Sequence, residues 1–168
     1  MMASSKRVSD TAIEDQTYKI FPNDLNSHGT VFGGTVMSVL DRTAAVVAER
    51  HSERLCVTVS VDSMHFLAAA GRGDILIIKA AVNRTWRTSM EIGVRVVAVN
   101  YRTAETKHIL SAYFTFVAVD DDHKPTEVPL VIPETPQQKR RYEEADQRRQ
   151  LRRREAEERR ARRAGESP

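Results

Sequence analysis

The chain has 168 residues, which suits one domain of ordinary size with a short appendage and would cramp two full domains. Apolar residues make up 40 %, enough for a packed core, yet 29 % are charged and no run approaches the roughly 18 apolar residues of a membrane span, which argues against a membrane partner. The net charge of +3 is unevenly spread: residues 137–168 carry twelve Lys or Arg and seven Asp or Glu, a net of +5, against a net of −2 in the other 136 residues, so the basic character belongs to a tail.

Residues 1–16 are polar, lack periodicity and are predicted to be a flexible N-terminus. They hold no apolar stretch that could act as a signal peptide, which points to a cytoplasmic protein. Tyr18 to Phe21 is a short strand candidate, stopped by Pro22, Asn23 and Asp24. From Gly33 to about Arg50, Val36, Met37, Val39, Leu40, Ala44, Val47 and Ala48 recur at helical spacings, with no Pro or Gly after Gly34. That pattern predicts one long helix, apolar on most of its circumference and therefore buried against a sheet. Four β-branched and aromatic runs follow, LCVTVSVDSMHFL, DILIIKAAVNRT, SMEIGVRVVAV and HILSAYFTFVAV, separated by turns such as AAAGRGD and NYRTAET. Short connections between long strands make an antiparallel meander. The fold class is therefore α+β, a helix packed on an antiparallel sheet. The single cysteine, Cys56, lies in the first of these runs and reads as a small core residue; it excludes an intrachain disulfide and a cysteine zinc cluster. Pro125, Pro129, Pro133 and Pro136 make 121–136 an extended connector, so the domain is expected to span 17–136. Beyond it, 137–168 has strong helix formers, almost no apolar residues and pairs such as Glu144 with Arg148, which predicts a charged, solvated helix that frays toward the C-terminus.

The most informative stretch is Asn26-Ser-His-Gly-Thr-Val-Phe-Gly-Gly34, followed by a helix containing Asp41. Two glycines at a helix start let another molecule approach the backbone, where unpaired amides at the positive end of the helix dipole can hold a phosphate or polarise a carbonyl. The same pair also serves a helix that packs tightly on a sheet. Asp41 has Met37, Ser38, Ala44 and Ala45 at helical neighbour positions, a small and mostly apolar face. A carboxylate there needs a partner: it is either half of an interface ion pair or a general base or nucleophile in a dry cleft. The five histidines show no metal-ligand spacing, no serine sits in a G-x-S-x-G elbow, and Cys56 has no evident base, so neither a metal nor a familiar nucleophilic triad is expected.

The combination N-x-x-G-x-x-x-G-G, then L-D, VTVSVDSMHF, GD, AVNRTWRTSMEIGVRV and YFTFVAVD closely resembles the hotdog-fold acyl-CoA thioesterases, the bacterial acyl-CoA hydrolases and the related brain-type enzymes. The likeness covers about 17–133 and includes the fifteen-residue spacing from Asn26 to Asp41. It implies a curled antiparallel sheet around one central helix, and hydrolysis of acyl-CoA to free acid and CoA. In such enzymes an Asn of one subunit faces an Asp of its neighbour, which implies a homodimer with shared sites and a trimer of dimers as the larger assembly. Asn26 and Asp41 fall on the catalytic positions, Asn26 orienting water or the carbonyl and Asp41 acting as base or nucleophile. Gly33 and Gly34 fall on the helix start that supplies oxyanion donors. Arg87, Thr88, Ser89 and Met90 fall beside the CoA phosphates and pantetheine, and Arg84 and Arg72 are further candidates for the phosphates. CoA is part of the substrate, so no cofactor is implied. Where many relatives have a proline, this chain has Ala69 in AAAGRGD, so a looser turn is expected at the substrate entrance.

Two other functions fit parts of the chain. A non-catalytic acyl-CoA sensor would keep the pocket and lack the Asn and Asp pair, which this sequence has. A nucleic-acid-binding tail would use the clustered arginines, but seven acids are interleaved with them and Tyr142 is the only aromatic residue there to stack on a base.

Overall fold

In the computed structural model, which describes residues 4–165, the elements run β1 (Ser5–Arg7), α1 (Val8–Thr11), β2 (Ile13–Lys19), α2 (Gly33–Ser52), β3 (Leu55–Val61), β4 (Asp74–Thr85), β5 (Ser89–Asn100), β6 (Thr106–Val119), β7 (Leu130–Ile132) and α3 (Pro136–Gly165). The long β-branched runs pair into one antiparallel sheet in the order β2-β4-β5-β6-β3; β4, β5 and β6 form the expected meander, but β3 pairs with β6 at the far edge rather than with β4. Alternation assigns the two faces of the sheet. On β5, Met90, Ile92, Val94, Val96 and Ala98 are buried in the core with Phe114 and Phe116 of β6 and Leu76 and Ile78 of β4. The intervening residues face the opposite side.

α2 lies on the core face. Val36, Leu40, Thr43, Ala44, Val47, Ala48 and His51 form its buried stripe at helical spacing. The helix ends where Glu53 turns left-handed (φ 55°), its amide donating to Glu49 O at 2.8 Å and its carboxylate held 2.7 Å from Lys6 Nζ. The circumference is less fully covered than the sequence suggests, since Met37 and Val46 are both exposed.

Two expectations are corrected. Of residues 1–16, the first three lie outside the described residues, and the rest are not a flexible lead-in: β1 pairs in parallel with β7, and β2 hydrogen-bonds along β4 from Ile13 to Lys19 rather than over Tyr18–Phe21. The reason is that an edge strand bonded through its backbone needs no apolar periodicity. The tail is not solvated throughout. The first half of α3 packs on the outer face of the sheet, with Ala145 fully buried. It docks by charge. Arg148 grips Glu91, a carboxylate with no exposure at all, with Nη2 at 2.6 Å from Oε1 and Nε at 3.2 Å from both oxygens. Arg152 bridges Glu91 (3.3 Å) and Asp62 (2.7 Å), while Asn83 donates to Glu91 at 3.1 Å. A bulge between Val82 and Arg84 lets Asn83 and Arg84 both reach this face. Gly93 leaves the space that Asn83 fills, because a Cβ there would stand 2.6 Å from its Nδ2. Burial pushes the Asp62 carboxyl up, against the attraction of Arg152. For Arg148, burial opposes the charge, but the bonds to Glu91 outweigh it and hold the guanidinium above its ordinary value. Rings add to the seam: Arg84 lies over Tyr142 (4.2 Å), Arg148 over Tyr113 (3.7 Å) and Arg149 over Trp86 (4.5 Å).

His51 is buried at the end of the α2 stripe, Nε2 3.1 Å from Pro129 O and Nδ1 3.5 Å from Thr11 Oγ1. Burial lowers its pKa from the usual 6.5. As pH falls through that value the unfolded chain takes up a proton that the folded chain refuses, so this contribution to stability is present above about pH 6.5 and lost below it. Between about pH 7.5 and 5.5 the wild-type Tm is expected to fall, and that of His51→Asn to fall less. Equal slopes in the two proteins would exclude His51 as the source.

Candidate active site

The segment entering α2 is a tight loop built on Asn26. Its Oδ1 accepts from the amides of His28 (2.9 Å) and Thr30 (3.2 Å), and its Nδ2 donates to Thr30 Oγ1 at 2.9 Å. Short polar side chains that bond their own backbone two residues on favour such turns. The loop is pinned from outside by Gly71, where a Cβ would stand 2.9 Å from Gly29 O. Asn26 is thus half-buried and fixed beside the first turn of the helix.

That first turn is open. Phe32 occupies the N-cap position and provides no side-chain bond, so no side chain caps the leading amides. Within the subunit the nearest neighbour to a Cβ on Gly33 would be the Phe66 ring at 3.5 Å, and on Gly34 the Phe32 ring at 3.9 Å. Both are ordinary contacts, so packing inside this chain does not require either glycine. Gly33 instead faces a cleft of about 450 Å³ lined by Thr30, Val31, Phe66, Leu67, Ala68–Ala70 and Ile109. Phe66 and Leu67 of its lining are exposed apolar side chains, as is Phe32 at the N-cap beside Gly33. The first of the four long runs stops being a strand at Val61, and its last residues, Phe66 and Leu67, help form this cleft.

Asp41 sits two turns further along α2. It is half-buried, and its Oδ1 accepts a 2.8 Å hydrogen bond from Thr58 Oγ1 on β3. In the single subunit this is not the dry cleft expected from its neighbours, since Met37 and Ser38 are exposed. Thr58 lies inside the VTVSVDSMHF run, but nothing in the sequence assigns it a role. The one clue is alternation, which puts it on the same side of β3 as the buried Cys56 and so toward the helix. Eight residues separate Gly33 from Asp41, about 12 Å along the helix axis. The structure therefore places Asn26 in the loop that leads into the Gly33/Gly34 helix start and keeps Asp41 of the same chain about two turns away from that start.

The candidates for CoA divide. Arg87 is exposed on the β4–β5 turn, with Thr88 and Ser89 half-buried beside it, and Arg72 is exposed on another turn. Met90 is corrected: its side chain is fully buried on the core face of β5 and cannot meet a ligand. Arg84 is corrected as well. Its guanidinium stacks on Tyr142, donates to Tyr142 O at 3.3 Å and pairs with Asp146 at 3.5 Å, so it is occupied by α3. No helix among the described residues is long and apolar enough to cross a membrane.

Comparison with known proteins agrees with this geometry. A family model of the Thioesterase superfamily matches residues 28–104. The uncharacterized acyl-CoA thioester hydrolase YkhA of Bacillus subtilis (strain 168) is 40 % identical over 120 residues, 71 % of this chain and 70 % of that protein. The crystal structure of an apo-hexameric acyl-CoA thioesterase superposes with a TM-score of 0.88 at 40 % identity, covering 91 % of this chain and 97 % of the other. Acyl-CoA hydrolase from Staphylococcus aureus, solved in complex with butyryl coenzyme A, coenzyme A and coenzyme A disulfide, gives 0.83 at 37 % identity over 92 % of this chain and 95 % of its own. With the helix-on-sheet architecture, the open helix start and this likeness along most of its length, the chain belongs to the Thioesterase superfamily, among the hotdog-fold acyl-CoA thioesterases.

Proposed function

We propose that the protein hydrolyses acyl-CoA thioesters at sites shared between two subunits, with Asn26, Gly33 and Gly34 of one chain facing Asp41 of the other. The observation that carries this is the separation of about 12 Å along α2 between Gly33 and Asp41, too long for both to reach one carbonyl group from a single chain. Hexameric relatives support an assembly that brings neighbouring chains together. In the S. aureus enzyme, an asparagine, an aspartate and a threonine spaced by 15 and 17 residues were each replaced by alanine. Asn26, Asp41 and Thr58 have the same two spacings.

The chemistry follows from the groups. Asp41, oriented by Thr58, takes a proton from water as the water oxygen adds to the thioester carbon. Direct attack by the carboxylate is the variant in which water later opens the resulting anhydride. The amides at the start of α2 stabilise the oxyanion, each such donor contributing roughly 2.7–4 kcal/mol. Asn26 Nδ2 keeps one hydrogen beyond that given to Thr30 and orients the water or the carbonyl. The C–S bond then breaks and the proton held by Asp41 passes to the departing CoA sulfur, so that acyl-CoA and water become free acid and CoA. The acyl chain lies along the apolar side chains of Phe32, Phe66 and Leu67, and Arg87, Thr88, Ser89 and Arg72 serve the CoA moiety. The scheme needs no resident metal or cofactor. The assembly is a homodimer joined through the free β3 edges, three of which make a hexamer, and its location is the cytoplasm.

Subunit mixing tests the shared site. Asn26→Ala and Asp41→Ala proteins are each expected to be nearly inactive. Dissociated and reassembled at equal amounts, half of their dimers hold one intact site, and activity should recover to about a quarter of wild type. Absence of recovery despite demonstrated subunit exchange would place both residues of a site in one chain and overturn the proposal.

A further inference from the structure

The contacts of α3 fall on successive strands of the sheet. Tyr142 lies against Arg84 of β4, Arg148 binds Glu91 of β5 and covers Tyr113 of β6, and Arg152 binds Asp62, the residue after β3. Ten residues of helix from Tyr142 to Arg152 rise about 15 Å, and the three strand spacings from β4 to β3 span about 14 Å. Arg152 therefore stands over the last strand. The thirteen residues 153–165 continue the same helix, adding about 20 Å, the width of about four more strands. Their ion pairs Glu155–Arg159 and Glu158–Arg162 lie within the helix. Beneath the point of departure is a groove of about 800 Å³, whose lining includes Val59, Val61, Trp86, Leu151, Arg149 and Arg153. Val59 and Leu151 are more than half exposed, and among the described strands β3 pairs with β6 alone.

We infer that residues 153–165 form an inter-subunit strap, in which the distal half of each α3 passes over the paired β3 edges and lies along the groove and α3 of the second copy of this chain. The inference rests on the dimer proposed above. If two β3 edges pair about a two-fold axis, the axis lies half a strand spacing past β3, about 2.4 Å, or one to two helix residues beyond Arg152. That is the boundary in the sequence between a basic block, Arg148-Arg-Gln-Leu-Arg-Arg-Arg154, and an acidic one, Glu155-Ala-Glu-Glu158. A two-fold axis at such a boundary sets each acidic block opposite the partner's basic block, an arrangement that is self-complementary. Within one chain Arg149 of the basic block is under-compensated, whereas Arg148 and Arg152 are paired with Glu91 and Asp62. Burial and the neighbouring Arg153, Arg152 and Arg84 hold the Arg149 guanidinium below its ordinary value.

Ending the full chain after Arg152 should raise the dimer dissociation constant by at least about tenfold, read by sedimentation or native mass spectrometry. The kcat per intact dimer is expected to hold. A charge-reversal pair gives an independent reading: Glu155→Lys/Glu157→Lys/Glu158→Lys chains and Arg149→Glu/Arg153→Glu chains should each dimerise weakly. Mixed together they should form heterodimers well beyond the statistical half, since both contacts are then attractive. Unchanged dimer affinity on truncation with statistical mixing of the reversed chains overturns the strap alone, and so does dissociation of the hexamer into unaffected dimers. Wild-type protein that sediments as an active monomer overturns the dimer reading and the strap with it.

Discussion

Asp41→Asn is expected to lower kcat at least about 10²-fold, the usual loss on removing a general base. Asparagine keeps the size of the side chain and an oxygen that can still accept the 2.8 Å bond from Thr58 Oγ1, but it can neither take a proton from water nor attack a carbonyl. CoA affinity should hardly change, because a phosphate gains nothing from a carboxylate. The melting temperature should hold as well, since Asp41 is half-buried and its hydrogen bond to Thr58 survives in the amide. A scaffold role predicts the opposite pattern, with a weaker oligomer and lower Tm, and activity lost only in proportion to unfolding. Measuring kcat, CoA affinity and Tm on one preparation separates the two. A stable, CoA-binding Asp41→Asn protein with near wild-type kcat would remove Asp41 from the chemistry.

The features legible in the sequence are those that repeat along one element. The helix from Gly33 to about Arg50 and the runs DILIIKAAVNRT, SMEIGVRVVAV and HILSAYFTFVAV are legible because their buried faces recur at periods of 3.6 and 2, and the observed elements extend them by no more than two residues at an end. Asn26, Gly33, Gly34 and Asp41 stood out as residue types placed where packing alone does not call for them. What escaped was made by partners distant in sequence. β2 is polar along most of its length and is held by backbone bonds to β4. Thr58 matters only beside Asp41, seventeen residues away. Met90 and Arg84 were drawn toward CoA by their neighbours in sequence, but alternation buries the first and α3 occupies the second. The docking stripe of α3 is Tyr142, Ala145, Arg148 and Arg152, which follows helical spacing as regularly as any core face. Hydropathy does not see it, because two of its four members are arginines whose partners sit 57 and 90 residues away.

That stripe overturns the expectation of a helix solvated along its whole length. Glu91 has no exposure, and α3 supplies both of the guanidiniums that compensate it. Removing one partner of a buried ion pair costs about 3–5 kcal/mol, because the charge left behind is neither solvated nor paired. Arg148→Met keeps much of the side-chain volume and deletes the bidentate contact, so a loss of about 3 kcal/mol is expected, at the lower end because Arg152 and Asn83 stay within 3.3 and 3.1 Å of the carboxylate. The loss should appear as a lower denaturant midpoint with an unchanged slope. Glu91→Gln in the same chain should return a large part of it, since a neutral amide can still accept from Asn83 and no longer needs a counter-charge. A surface ion pair behaves differently: its removal costs at most about 1 kcal/mol, fades with salt and leaves nothing for a second substitution to rescue. An Arg148→Met protein within about 0.5 kcal/mol of wild type would show that Arg152 and Asn83 suffice for Glu91 and that α3 is an accessory of the sheet. A clear loss rescued by Glu91→Gln would make the first half of α3 part of the domain.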